Sequence, residues 1–154
     1  MLWLLLNHFK SKGYGPQATS NAKRERQATR VKAILAARYN LATDLVAVCG
    51  DLNDTPTSAP LAPLLGVPNL FDVLALQFPN PADRWTYHYT KNEQIDYMLV
   101  SKPLRDALSA AGVERRGIFE VDKHTGGATK PWPSVDSIRN SASDHGAVWA
   151  DFNI

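Results

Sequence analysis

Six side chains bring carboxylate, imidazole and amide chemistry next to apolar runs: His8, Asp51, Asn53, Asp96, Asp144 and His145. Asn7 and His8 close the run at residues 2–6, and Asp51 and Asn53 follow the run at 44–49. Asp96 lies inside the run at 95–100, and Asp144-His145 precedes the last run, at 147–152. Carboxylate oxygens are the ligands that a hard divalent cation takes. Imidazole and carboxylate groups generate or orient an attacking water, and N–H donors meet the negative charge that develops on phosphoryl oxygens. These types together suit hydrolysis of a phosphate ester.

Each residue also has a plainer reading. A lone histidine before a loop is commonly structural or exposed. Asp51 and Asn53 flank a turn, where Asp and Asn stabilise the backbone by local hydrogen bonds. Asp144-His145 reads equally well as loop polarity. Asp96 is more informative, because an aspartate inside an apolar strand is costly unless it is paired, and a histidine is the obvious partner. His88, in the alternating stretch 86–89, and His124, in a Gly-rich loop, read as structural or solvated.

The elements that must position these groups follow from hydrophobic pattern and turn residues. Residues 2–8 read as a buried strand, followed by a turn-rich loop at 11–16. Ser20 or Asn21 is placed to cap a helix over about residues 22–39, with Ala28, Val31, Ile34 and Leu35 on one face. Lys23, Arg24, Arg26, Arg30 and Lys32 make that helix basic and read as a solvated face. Residues 44–49 form a central strand and 50–56 the loop after it. A short helical stretch runs from Ser58 to about Leu65, and strands are expected over 85–90, 94–101, 113–121 and 147–152. Residues 103–111 read as helical and 122–143 as a long loop. The order strand, helix, strand, helix and then mainly strands gives an α/β or α+β domain. No repeat or domain boundary divides residues 1–154.

Bulk composition narrows the class without naming a ligand. At 154 residues with 44% hydrophobic and 21% charged residues, the chain is ordinary for one globular domain. Seventeen Lys and Arg against fifteen Asp and Glu leave a net charge of +2, too near neutral to indicate nucleic acid by itself. The single cysteine, Cys49, excludes an intrachain disulfide and a thiolate zinc site, and reads as a small buried hydrophobe. No stretch is long enough to span a membrane as a helix, and residues 1–6 lack the basic start and cleavage site of a signal peptide.

Four segments occur in a familiar order: Asn7-His8-Phe9-Lys10-Ser11-Lys12, Gly50-Asp51-Leu52-Asn53, Ile95-Asp96-Tyr97 and Ser143-Asp144-His145. In this order and spacing the sequence resembles the endonuclease/exonuclease/phosphatase superfamily, over nearly the whole chain. The resemblance implies a deoxyribonuclease I-like layered sandwich and metal-dependent phosphoester hydrolysis, with Mg²⁺ or Mn²⁺ as cofactor and a phosphate ester or nucleic acid as substrate. It implies that His8 contacts the scissile phosphate, Asp51 orients or activates water, and Asn53 binds phosphate. Asp96 would fix His145, the general base or phosphate ligand, and Asp144 and Asp51 would lie at the metal. Asn7, Lys10 and Lys12 would sit beside the substrate.

The family pattern has a longer N-terminal portion carrying an asparagine and a glutamate that help hold the metal, and neither can be assigned here. The expectation is therefore a partial domain: roughly one sheet with its helices and a bare inner face. A face of that kind predicts pairing, either as a homodimer or with a separate N-terminal polypeptide. A catalytically weak half-domain is the alternative to an active enzyme.

Overall fold

In the computed structural model, which describes Met1–Ile154, the first apolar run is β1 (Leu2–His8) and the basic segment is α1 (Gln17–Arg38). The helix begins earlier than residue 22, directly after Pro16, whose φ of −60° suits a helix entry. Ser20 therefore lies inside the helix, and Ser20, Arg24, Ala28, Val31 and Leu35 form its buried stripe. The reading of Arg24 as part of a solvated face is corrected by this register. Four residues ahead of Ala28, it falls on the core side and is fully buried.

The chain continues through β2 (Leu45–Asp51), α2 (Ala62–Leu65), β3 (Leu70–Asp72), α3 (Val73–Gln77), and the short β4 (Tyr87–His88) and β5 (Asn92–Glu93). It closes with β6 (Asp96–Ser101), α4 (Lys102–Ala107), β7 (Leu108–Glu114), α5 (Val121–His124) and β8 (Ala147–Phe152). The main sheet has the order β1-β2-β6-β3. In it β1 and β2 are parallel, which requires a crossover that α1 supplies, and β6 is antiparallel to both β2 and β3. β4 pairs with β5, and β7 with β8, as separate antiparallel ribbons.

Strand alternation separates two apolar layers. On the outer face, Leu5, Val46, Val48, Tyr97 and Leu99 pack with Ala28, Val31 and Leu35 of α1. On the inner face, Ala47 and Val100 pack with Leu74, Leu104 and Ala111, and against Val148, Ala150 and Phe152 of β8. The expected bare inner face is thus corrected: β7 and β8 cover it at β2 and β6. It stays uncovered at β1, where Leu2, Leu4 and Leu6, which share that face, are 43%, 59% and 79% exposed.

Residues 108–111 were expected to extend a helix and instead open β7. The alanines there have good helix propensity, but pairing with β8 and burial of Ala111 override it. Gly112 leaves room for the Trp149 ring across the ribbon, since a Cβ there would stand 2.7 Å from it. His124, expected in a loop, ends α5, and its ring stacks on His88 at 3.5 Å between centroids.

Candidate active site

The sheet register alone aligns three of the predicted groups. His8 on β1 is opposite Asp51 on β2, and Asp51 is opposite Asp96 on β6. Cross-strand partners share a face, so an imidazole and two carboxylates form a row along the inner-face end of the sheet. His8 Nε2 lies 3.7 Å from Asp51 Oδ2, an electrostatic contact longer than a hydrogen bond. Gly50 makes this alignment possible. Its φ is +131°, and a Cβ on it would meet the Asn7 carbonyl oxygen at 1.9 Å, so only glycine lets β2 approach β1 here.

The loop after β2 is tied back onto the row. Asn53 adopts a left-handed φ of 55°, tolerated by asparagine, and its backbone N–H donates to Asp51 Oδ1 at 2.7 Å. Its side-chain amide donates to Asp51 Oδ2 at 2.8 Å and to the Phe9 carbonyl at 3.1 Å. Asn53 therefore orients Asp51 and joins the β1 and β2 loops. Arg24 reinforces the join, donating to Asp54 Oδ2 at 3.0 Å and to the Lys10 carbonyl at 2.9 Å.

The fourth group arrives from the far end of the chain. His145 Nδ1 is 2.8 Å from Asp96 Oδ2, the pairing that an aspartate inside an apolar strand requires. The segment is held by an isolated bridge between Tyr87 and His145 and by the His88 N–H donating to the Asp144 carbonyl at 3.4 Å. The Tyr87 ring packs on the His145 ring at 4.8 Å. The hydrogen bond to Asp96 holds the His145 imidazole above its usual pKa, against an opposing effect of burial. Asp51 is also shifted up, first by burial and further by the Asp96 charge, while the Asn53 hydrogen bond pulls it down.

These groups open into a cleft of about 760 Å³. His8, Asp51, Asn53, Asp144 and His145 line it, with Lys12 and the unanticipated Tyr14, Tyr87, Tyr89 and Glu93. Lys12 is engaged there, its ammonium 3.0 Å from Asp54 Oδ1. Asn7 and Lys10 are not among the lining residues. Asn7 bonds the Leu5 carbonyl beside α1, and Lys10 bonds the Ser11 and Tyr14 carbonyls. Nothing in residue type or spacing marked the tyrosines. Tyr14 falls in a turn-rich loop, and the direction of Tyr87 is set by residues 86–88 docking against 144–146.

The donor set suits a cation. One ligand atom each from Asp51, Asp96 and His145 lies within 4.8 Å of the others. Two carboxylates this close repel, and Asp51 is held above its usual pKa by burial and by Asp96, so a hard divalent ion would relieve both effects. Asp144, expected at the metal, lines the same cleft but is not in this cluster.

Solved structures share the fold that carries these groups. The 3' phosphatase NExo from Neisseria, solved with a product DNA hairpin, matches with a TM-score of 0.65 at 16% identity, over 98% of this chain and 61% of that one. An AP endonuclease from Archaeoglobus fulgidus matches with a TM-score of 0.70 at 16% identity, again over 98% and 61%. A humanized D. rerio TDP2 gives 0.64 at 16% identity, over 98% and 54%. At these identities the likeness establishes the deoxyribonuclease I-like fold, and the chain spans under two thirds of each structure's length. No curated protein matches the sequence. Residues 3–145 match the Endonuclease/Exonuclease/phosphatase family, and this chain belongs to that family.

Proposed function

We propose that this chain hydrolyses phosphate esters, including phosphodiesters of nucleic acids, with Mg²⁺ or Mn²⁺ as cofactor. The observation that carries the reading is the row His8, Asp51 and Asp96 across adjacent strands, closed by the 2.8 Å Asp96–His145 bond at one cleft. In this reading Asp51, oriented by Asn53, accepts the proton of an attacking water or fixes its position. Asp96 fixes the His145 tautomer with Nδ1–H toward the carboxylate, which leaves Nε2 to accept or donate at the phosphoryl group. His8, three-quarters exposed, reaches the phosphoryl oxygens or the leaving group from the opposite side. Asp51, with Asp144 or Asp96, would hold the cation, whose chemistry is charge neutralisation on the phosphoryl oxygens.

A second reading is favoured by the exposed Leu2, Leu4 and Leu6 on the inner face of β1. Here the chain works paired, with a second copy or a separate polypeptide covering that strip, and is weak alone. Hydrolysis of bis-p-nitrophenyl phosphate by the purified chain with Mg²⁺ or Mn²⁺, beside His145→Ala, tests the first reading. Metal-dependent turnover lost in the variant supports it. Turnover equal to the variant's counts against it and leaves the second.

A further inference from the structure

We propose that Thr86 is a positioning residue that assembles the Asp96–His145 pair. These two side chains are 49 residues apart in sequence, and one buried threonine bonds the backbone on both sides of their contact. Thr86 is 0% exposed. Its Oγ1 accepts from the Asp96 N–H at 3.0 Å and the Ile95 N–H at 3.1 Å, which fixes the start of β6. Its carbonyl accepts from the Gly146 N–H at 2.6 Å, directly after His145. Its own N–H donates to the Glu93 carbonyl at 3.0 Å. Tyr87, the next residue, makes the bridge to His145 and packs on its ring.

Two features show why the hydroxyl matters at this position. β6 pairs with β2 from Asp96 onward, but its other neighbour, β3, reaches only Leu99–Ser101, so the Ile95 and Asp96 N–H groups at the start of β6 depend on Thr86 Oγ1. Removing Oγ1 takes away the acceptor of both the Ile95 and the Asp96 N–H groups, and buried N–H groups are rarely left unpaired. The hydroxyl therefore sets where the Asp96 carboxylate lies, while the carbonyl of the same residue sets where His145 lies. One residue, through its hydroxyl and its carbonyl, thus ties the Asp96 segment to the His145 segment.

Thr86→Val keeps the shape and removes the acceptor, and Thr86→Ser keeps the acceptor. In ¹⁵N-labelled, metal-free protein, the His145 imidazole resonances report its tautomer directly. The native chain and Thr86→Ser are expected to hold His145 as the Nδ1–H tautomer, and Thr86→Val to give a mixture of tautomers. A Thr86→Val protein with a native-like backbone spectrum and an unmixed Nδ1–H tautomer overturns the proposal. Should Thr86→Val not fold, Thr86→Ser decides: a folded Ser variant that has lost the tautomer overturns it equally. The kinetic arm rests on the hydrolase reading. There Thr86→Val is expected to lower kcat about 10- to 100-fold with KM little changed. In an Asp96→Asn background it should have less than about a twofold further effect, because residues acting as a unit are non-additive. A purely structural role would lower stability and leave the two losses multiplicative. If the native chain shows no turnover, the hydrolase reading fails while the imidazole spectrum still decides this one.

Discussion

Replacing Arg24 by methionine should cost far more than its place in a basic run suggests. The guanidinium is fully buried and donates to Asp54 Oδ2, the Lys10 carbonyl and Asn21 Oδ1. Methionine fills much of the space but leaves the Asp54 carboxylate, whose side chain is 8% exposed, without its principal counter-charge. Breaking a buried pair by removing one partner costs about 3–5 kcal/mol. Lys12, 3.0 Å from the other Asp54 oxygen, and the Thr55 N–H remain, so the lower end of that range, about 3 kcal/mol, is expected. For a chain of this size that is a fall in Tm of roughly 6–12 °C. Urea unfolding followed by circular dichroism should show a lower midpoint at unchanged slope. Arg24→Met with Asp54→Leu should recover much of the loss, since an apolar replacement of both partners is often neutral. A loss below about 1 kcal/mol in the single variant, or a double variant no better than the sum of its parts, would refute the reasoning. The exposed Lys102–Asp106 pair is the control, and Lys102→Ala should leave the midpoint unchanged.

Other consequences follow from the same geometry. Gly50→Ala forces a Cβ to 1.9 Å from the Asn7 carbonyl at a φ of +131°, and should destabilise by more than about 3 kcal/mol, measured by the same unfolding curve. Asp96→Asn should return the His145 midpoint toward its ordinary value in a metal-free NMR titration. Because the folded-state pKa of His145 is raised, its protonated form adds stability below the ordinary value. That contribution disappears as pH rises through the folded value, so the stability gap between native and Asp96→Asn protein should narrow with rising pH. If β1 pairs through its bare strip, the native chain sediments as a dimer at micromolar concentration and Leu4→Lys with Leu6→Lys as a monomer. A native monomer at high concentration contradicts the pairing.

How far the sequence reaches can be judged from particular residues. His8, Asp51, Asn53, Asp96, Asp144 and His145 were legible because each ends or interrupts an apolar run, and the structure gathers them at one edge. The strands at 2–8 and 44–49 and a basic helix between them were legible from run length and period, while their parallel pairing and the start of the helix at Gln17 came only from the structure. Three things were not. Arg24 was hidden by its basic neighbours, although counting back by four from Ala28 would have placed it on the buried stripe. The cover of the inner face was missed because Ala107 to Ala111 favour a helix locally, and only the distant Val148 and Ala150 make residues 108–114 a strand. Thr86 and Tyr87 carry no sign of their own, because their contacts with the Asp96 and His145 segments exist only once three short segments have docked. Lys10 and Lys12 show the reverse: charge near the site marked them, and their ammonium groups are taken by loop carbonyls and by Asp54.

In the proposed function, the row across β1, β2 and β6 works with His145 as one hydrolytic site. The most direct measurement is bis-p-nitrophenyl phosphate turnover with Mn²⁺ for His8→Ala, Asp51→Asn, Asp96→Asn and His145→Ala, each beside the native chain and Lys102→Ala. Losses of about 10²- to 10⁴-fold in kcat are predicted for the four, with Lys102→Ala at the native rate. Folded variants of the row that retain native turnover would contradict it.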